Sequence, residues 1–204
     1  MSDASRRYAA KGTAGLASLN FQYTDELDQL TANVLFADGA AAMMISPQPS
    51  DTQVLACRCV SVPERADQMV WFADDHGLRL RLSQDLPDTL AAAVPGMVAS
   101  FLADNGTTCA AVNHWLVHPA GPQILDAVQR ALGLPEDALR ISRSVLRRHG
   151  NMSSPTIFFI LGSSAEFVGG LWGNRRRRFP QALSWGFFPL PGYGTTPAPN
   201  QRSE

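Results

Sequence analysis

The 204-residue chain is poor in lysine, cysteine, net charge and long apolar runs. Lys11 is the sole lysine among seventeen cationic side chains, a usage typical of a high-GC bacterial gene and silent about chemistry. A formal net charge of −1 gives no global field to attract nucleic acid or a membrane surface, so neither is expected as a partner. No apolar run approaches the ~20 residues of a membrane span. The opening MSDASRRYAAKGTAG lacks the apolar core of a secretory signal, so a cytoplasmic protein is expected. The cysteines, Cys57, Cys59 and Cys109, are too few and too odd in number for a disulfide framework. Cys57 and Cys59 form a C-x-C pair in VLACRCVSV, but a zinc site needs about two more ligands, and none stands at a suitable spacing. No metal site is expected, and the cysteines read as buried and structural.

What is present suits one globular domain: 45% of residues are hydrophobic and 17% charged. Residues 1–17 are small and polar and read as loosely ordered. Asp25 to Ala32 suits a short helix, and AAAMMI, bounded by turns, suits a buried strand. After the turn cluster PQPSD, residues 54–62 read as a second strand. LRLRL alternates strictly, with Leu78, Leu80 and Leu82 on one face. From Asp85, residues Leu90, Val94, Met97, Val98 and Phe101 fall at helical spacing, with Pro95 a point of strain. AAVNHWLVH reads as a central strand. PQILDAVQRALGL reads as a helix with Pro122 in its first turn and Gly133 at its end. Ile141 to Arg148 is another helix closed by Gly150, and NMSSPTIFFIL should be buried. Strands alternating with helices indicate an α/β layered fold. From Gly162 no period is visible. The run Arg175 to Arg178 suits either a phosphate or nucleic-acid contact or a solvated loop, and the loop is the ordinary outcome.

Two residues stand out chemically. His118 ends an apolar strand just before a Pro-Gly turn and a helix, where α/β proteins place reactive groups. Asn151 lies in the HGNMSS turn, where asparagine also serves as an ordinary turn or cap residue. Together they offer an imidazole N–H and a carboxamide N–H that can donate to one carbonyl oxygen. Such a pair stabilises a developing oxyanion.

The stretch WLVHPAGPQILDAVQRALGLPEDALRISRSVLRRHGNMSSPTIFFIL resembles the C-terminal half of the type III polyketide synthases, the chalcone and stilbene synthase family. That family shows W-x-x-HPGGP-x-ILD and VL-x-x-x-GNMSS at this separation. LFADGAAAMMI resembles its LFGDGAAA segment, and MVWFADDHGLRLRLSQDLP its M-x-W…GL-x-x-x-L-x-x-x-VP segment. SLNFQYTDELDQLTANV resembles the stretch before it. The resemblance spans residues 16–161, between a flexible segment 1–15 and a divergent Arg/Pro/Gly-rich tail 162–204.

The resemblance implies a thiolase-like αβα layered fold, of which this chain would be one of two halves, with an atypical C-terminal tail. It implies that His118 and Asn151 bind the thioester carbonyl of malonyl-CoA and stabilise the enolate left by loss of CO₂. Ser153 would line the cavity, Leu80 lies near a position the family often fills with a gatekeeping Phe, and Gly121 belongs to the substrate-binding turn. The substrates would be malonyl-CoA and an acyl-CoA, with no cofactor. The family's nucleophilic cysteine precedes the segment matched here, and Cys57, Cys59 and Cys109 align with none of it. Without a nucleophile there is no acyl-enzyme. A homodimer or a complementing Cys-bearing N-terminal half is therefore expected, since a lone half exposes the apolar layer that meets its counterpart. The tail SWGFFPLPGYGTTPAPN only loosely echoes the family's GFGPG loop, through a shifted reading frame or natural divergence. Two other readings stay open: the C-terminal half of a ketoacyl-synthase-III-like enzyme, whose His block is typically HQAN, and a non-catalytic subunit or truncated gene product.

Overall fold

A computed structural model describes residues 9–45, 54–75, 77–169 and 183–185. In chain order the elements are β1 (Ala9–Gly15), α1 (Leu27–Leu35), β2 (Gly39–Ile45), β3 (Met69–Asp74), β4 (Gly77–Leu82), α2 (Leu86–Asp104), β5 (Trp115–Val117), α3 (Pro122–Ala131), α4 (Arg140–His149), α5 (Pro155–Gly169) and β6 (Leu183–Trp185). The fold is α/β. Among the described residues the strands form three two-stranded ladders: β1–β2 and β3–β4 antiparallel, β5–β6 parallel.

The short strand β5 organises the core, because successive side chains point to opposite faces. Trp115 joins Val98, Phe101 and Leu102 of α2, Leu125 of α3 and Leu139 in one apolar cluster. Leu116 faces the other way and joins Val145 of α4, Met152 and Ile160 of α5. Helices thus cover both faces of β5, a local αβα sandwich. Ser142, fully buried on α4, accepts the Val117 N–H on its Oγ at 3.2 Å, so this strand amide is paired in the interior.

The helices form where apolar periodicity and end signals agree. Pro122 opens α3, Leu125 and Val128 fill its buried stripe, and its last turn is closed by Gly133 N–H to Arg130 O at 3.1 Å and Leu134 N–H to Gln129 O at 3.0 Å. α4 ends at Gly150, whose φ of 69° is a left-handed conformation and whose N–H donates to Leu146 O at 2.9 Å. α2 continues through Pro95, which removes one N–H from its ladder. Its 19 residues are apolar and long enough to cross a membrane by length and composition, against the expectation that no segment approaches that size. It packs as a core helix, with Leu90, Val98, Phe101 and Leu102 buried.

Several expectations are corrected. Ala9–Gly15, read as loosely ordered, are a strand paired residue for residue with β2, from Ala9↔Ile45 to Gly15↔Gly39. Small side chains there hide the alternation, and pairing with β2 supplies what propensity does not. β2, expected buried, alternates between half-buried and exposed positions because only one face is covered. Residues 54–62 form no strand; without a ladder partner a β-prone segment has nothing to pair its backbone. Cys57 and Cys59 are accordingly exposed rather than buried, and Cys109 is half-buried. Of AAVNHWLVH only Trp115–Val117 is a strand, and Cys109–Ala111 make a 3₁₀ turn. The period lost at Gly162 is helical after all, since α5 runs to Gly169. Arg175 to Arg178 and the echo of GFGPG lie outside the described residues.

One surface inverts the usual amphipathic rule. α1 buries Gln29 and Ala32 and exposes Leu27, Leu30 and Val34, three apolar residues at i, i+3 and i+7. Gln29 Nε2 donates to Asn33 Oδ1 at 3.1 Å, and Asn33 Nδ2 to Gln22 O at 2.7 Å, so the polar face is satisfied inside. Leu19, at 76% exposure, and Tyr23, at 98%, extend the apolar area.

Candidate active site

His118 immediately follows β5, so its backbone position is set by the core strand. Its carbonyl accepts the Ala120 N–H at 3.1 Å, a tight turn that leads through Gly121 into α3. The half-buried imidazole is pushed by desolvation from 6.5 to about 4. At neutral pH the ring is therefore uncharged, with one N–H to donate.

Asn151 is 2% exposed and doubly fixed. Its backbone bridges the end of α1: the Asn151 N–H donates to Leu35 O and its carbonyl accepts the Ala37 N–H, both at 2.9 Å. Its side chain closes an Asx turn, with Oδ1 accepting the Ser153 N–H at 2.8 Å. Nδ2 donates to Ala120 O at 3.4 Å, a long contact, so the carboxamide lies against the turn that carries His118. An amide nitrogen has two hydrogens, and Ala120 O takes one of them.

Ser153 is exposed and is the one non-glycine residue with positive φ, 61°, among the described residues. Holding it there costs on the order of 1–2 kcal/mol. The Asn151 turn offsets that cost from one side and Thr156 from the other. Thr156, fully buried, accepts the Met152 N–H on Oγ1 at 2.9 Å and donates its own N–H to Ser153 O at 3.0 Å. Sequence reasoning missed Thr156; the signal was a hydroxyl three residues after Ser153, at the start of a helix opened by Pro155.

The antiparallel β1–β2 pair supports the same turn. A Cβ on Gly15 would lie 2.4 Å from Met152 O, and one on Gly39 2.5 Å from Met152 Sδ, so the strand pair sits directly on Met152 only because both residues are glycine.

The other expected site residues are placed differently. Gly121 is buried before α3 with an extended φ of 177°, and an added Cβ would make only ordinary contact with Leu35 at 3.9 Å. Its backbone does not demand glycine. Leu80 is 4% exposed on β4, with its N–H on Gln29 Oε1 at 3.3 Å. It pairs across the ladder with Trp71, whose ring lies 5.8 Å from that of Phe36, the residue that bridges Asn151. Leu80 is thus linked to the Asn151 turn through α1 and Phe36. A groove of about 430 Å³ between α3 and α4, around Asp126, Arg130 and Arg143, involves neither His118 nor Asn151. None of the three cysteines lies in either turn.

The model of the chalcone and stilbene synthases, C-terminal domain, matches residues 55–168, the segment that contains both turns. The chain belongs to the chalcone and stilbene synthase family. A Bacillus subtilis (strain 168) protein that carries a chalcone synthase name is 30% identical over 192 residues, covering 85% of this chain and 53% of that protein. The alpha-pyrone synthesis polyketide synthase-like Pks18 of Mycobacterium tuberculosis is 29% identical over 158 residues, covering 74% of this chain and 40% of Pks18. Among solved structures, PKS-I from the brown alga Ectocarpus siliculosus superposes with a TM-score of 0.75 at 26% identity, covering 82% of this chain and 46% of that one. The C-terminal type III polyketide synthase domain of Steely1 from Dictyostelium gives 0.69 at 26% identity, covering 78% and 47%. The fold is thus thiolase-like, and the chain spans about half the length of the relatives it matches.

Proposed function

We propose that this chain is the malonyl-activating half of a type III polyketide synthase, acting on malonyl-CoA and completed by a Cys-bearing half. The observation that carries the reading is the Asn151 carboxamide seated against the His118 turn, 3.4 Å from Ala120 O. A neutral imidazole N–H and a spare carboxamide N–H there would donate to the thioester carbonyl. As the bond to the carboxylate breaks, its electron pair moves into the thioester and CO₂ leaves. Negative charge gathers on the carbonyl oxygen, where the two donors stabilise it. In the completed enzyme the enolate carbon attacks an acyl thioester held on cysteine and expels the thiolate. Ser153, beside Asn151, and Gly121, in the His118 turn, would border the substrate, with Leu80 farther back. No cofactor takes part, and a cytoplasmic setting suits CoA thioesters.

The partner in this reading seats on the apolar stripe Leu27, Leu30 and Val34. Its support is the exposure of that stripe, together with the chain's match to about half the length of its relatives. The test is CO₂ release from malonyl-CoA by the chain alone and with a supplied first half of the Bacillus subtilis relative. A slow release that falls roughly 10²-fold in His118→Ala or Asn151→Ala is expected. Rates equal to those of both variants, with and without the added half, refute the reading.

A further inference from the structure

The Asn151 carboxamide can donate at the His118 turn only if its nitrogen, and not its oxygen, faces that turn. Its neighbours decide which end does. A backbone N–H can meet only the amide oxygen, and a carbonyl only the amide nitrogen. The Ser153 N–H donates to Oδ1 at 2.8 Å, and Nδ2 donates to Ala120 O at 3.4 Å. Turned over, the group would set its nitrogen against an N–H and its oxygen against a carbonyl. The Ala120 contact is long, so the shorter Ser153 bond carries most of the choice.

That N–H belongs to the peptide unit between Met152 and Ser153. The unit leads into the left-handed φ of 61° at Ser153. Rotating it would relieve that φ and carry its N–H away from Asn151. Thr156 holds the peptide units on both sides of it. Thr156 Oγ1 accepts the Met152 N–H, from the unit before, at 2.9 Å. The Thr156 N–H donates to Ser153 O, in the unit after, at 3.0 Å. Thr156 is fully buried and Met152 nearly so, which shields the hydroxyl bond from water.

We propose that Thr156 is a positioning residue for Asn151: its hydroxyl locks the peptide between Met152 and Ser153 and so fixes which end of the carboxamide faces the His118 turn. The lock is a property of the fold, and its bearing on malonyl-CoA rests on the function proposed above.

The test is side-chain amide hydrogen exchange, read by NMR on the full chain, in Thr156→Val and Thr156→Ser. Asn33, whose Nδ2 donates to Gln22 O at 2.7 Å, is the internal reference. In Thr156→Val the Asn151 Nδ2 hydrogens should exchange roughly tenfold faster while those of Asn33 keep their rate, because the opening is local. Thr156→Ser keeps a hydroxyl and should return Asn151 to the unaltered rate. If Thr156→Val does not fold, Thr156→Cys, whose sulfur accepts only weakly, takes its place. CO₂ release per folded chain should fall with the faster exchange and return in Thr156→Ser. Unchanged Asn151 exchange overturns the proposal. So does equal acceleration at Asn151 and Asn33, which marks a general loosening of the fold. An unaltered chain that releases no CO₂ strikes the proposed function instead, and the exchange rates still decide the role of Thr156.

Discussion

Replacing His118 by glutamine tests whether the imidazole is neutral in the fold, on which its role as an N–H donor rests. The native imidazole titrates at about 4 and the unfolded one at 6.5. Between those values the unfolded chain binds more protons than the folded one, so stability must fall as pH falls. The loss begins near pH 6.5 and is complete below about 4. A shift of that size corresponds to about 3 kcal/mol, and partial solvent access of a half-buried ring trims it toward 2. That is a large share of the ~5–15 kcal/mol typical of a domain. The His118→Gln chain has no such group to protonate. Urea unfolding of both chains at pH 7, 6, 5 and 4 should therefore show the unaltered chain losing roughly 2–3 kcal/mol more than the variant. Comparing pH slopes removes whatever the substitution costs at pH 7. Parallel curves would refute the reasoning, because the imidazole would then titrate in the fold as it does in the unfolded chain.

Gly15→Ala should destabilise the chain by about 1–3 kcal/mol in thermal unfolding, because the new Cβ meets the backbone carbonyl of Met152 at 2.4 Å. Thr156→Val, which keeps the shape, should cost about 1–3 kcal/mol by leaving the buried Met152 N–H unpaired, and Thr156→Ser should recover most of it. Leu27→Ser with Val34→Ser should reduce self-association in sedimentation velocity, and should abolish capture of a supplied first half, without loss of helical circular dichroism.

The parts of the fold that were legible are those whose periodicity matches their burial. Leu80 and Leu82 turn to the covered face of β4, and α2 and α3 bury the apolar stripes their spacing announces. β1 was illegible because AAKGTAG has no apolar alternation, and its shape comes from the register with β2 and from glycines that admit Met152. The segment at 54–62 misled in the opposite sense: its residues favour a strand, yet a strand needs a neighbour. Gly162 looked like a stop, but the Ser164 hydroxyl bonds Leu161 O at 2.7 Å within a helix that continues. At the site, His118 and Asn151 were legible as residue types in motifs. Thr156, Gly15 and Gly39 were not, because their importance lies in contacts with Met152 rather than in their own chemistry.

Those contacts bear on how the proposed labour could be divided. Among the described residues Asn151 is fixed by Leu35 and Ala37 through the backbone and by Ala120 and Ser153 through the carboxamide. The His118 turn likewise hangs on β5, whose Trp115 and Leu116 are packed from both sides. Donors aimed before a substrate arrives need no reorganisation during reaction, which is what makes such electrostatic stabilisation effective. Nearby, α1 and β2 present Leu27, Leu30, Val34 and Met44 to solvent. The proposed donors are thus internally braced, and an apolar face beside them is exposed. Supplying the covering half should therefore change chain extension far more than it changes decarboxylation. Equal gains in both rates would mean that the donors are not preformed.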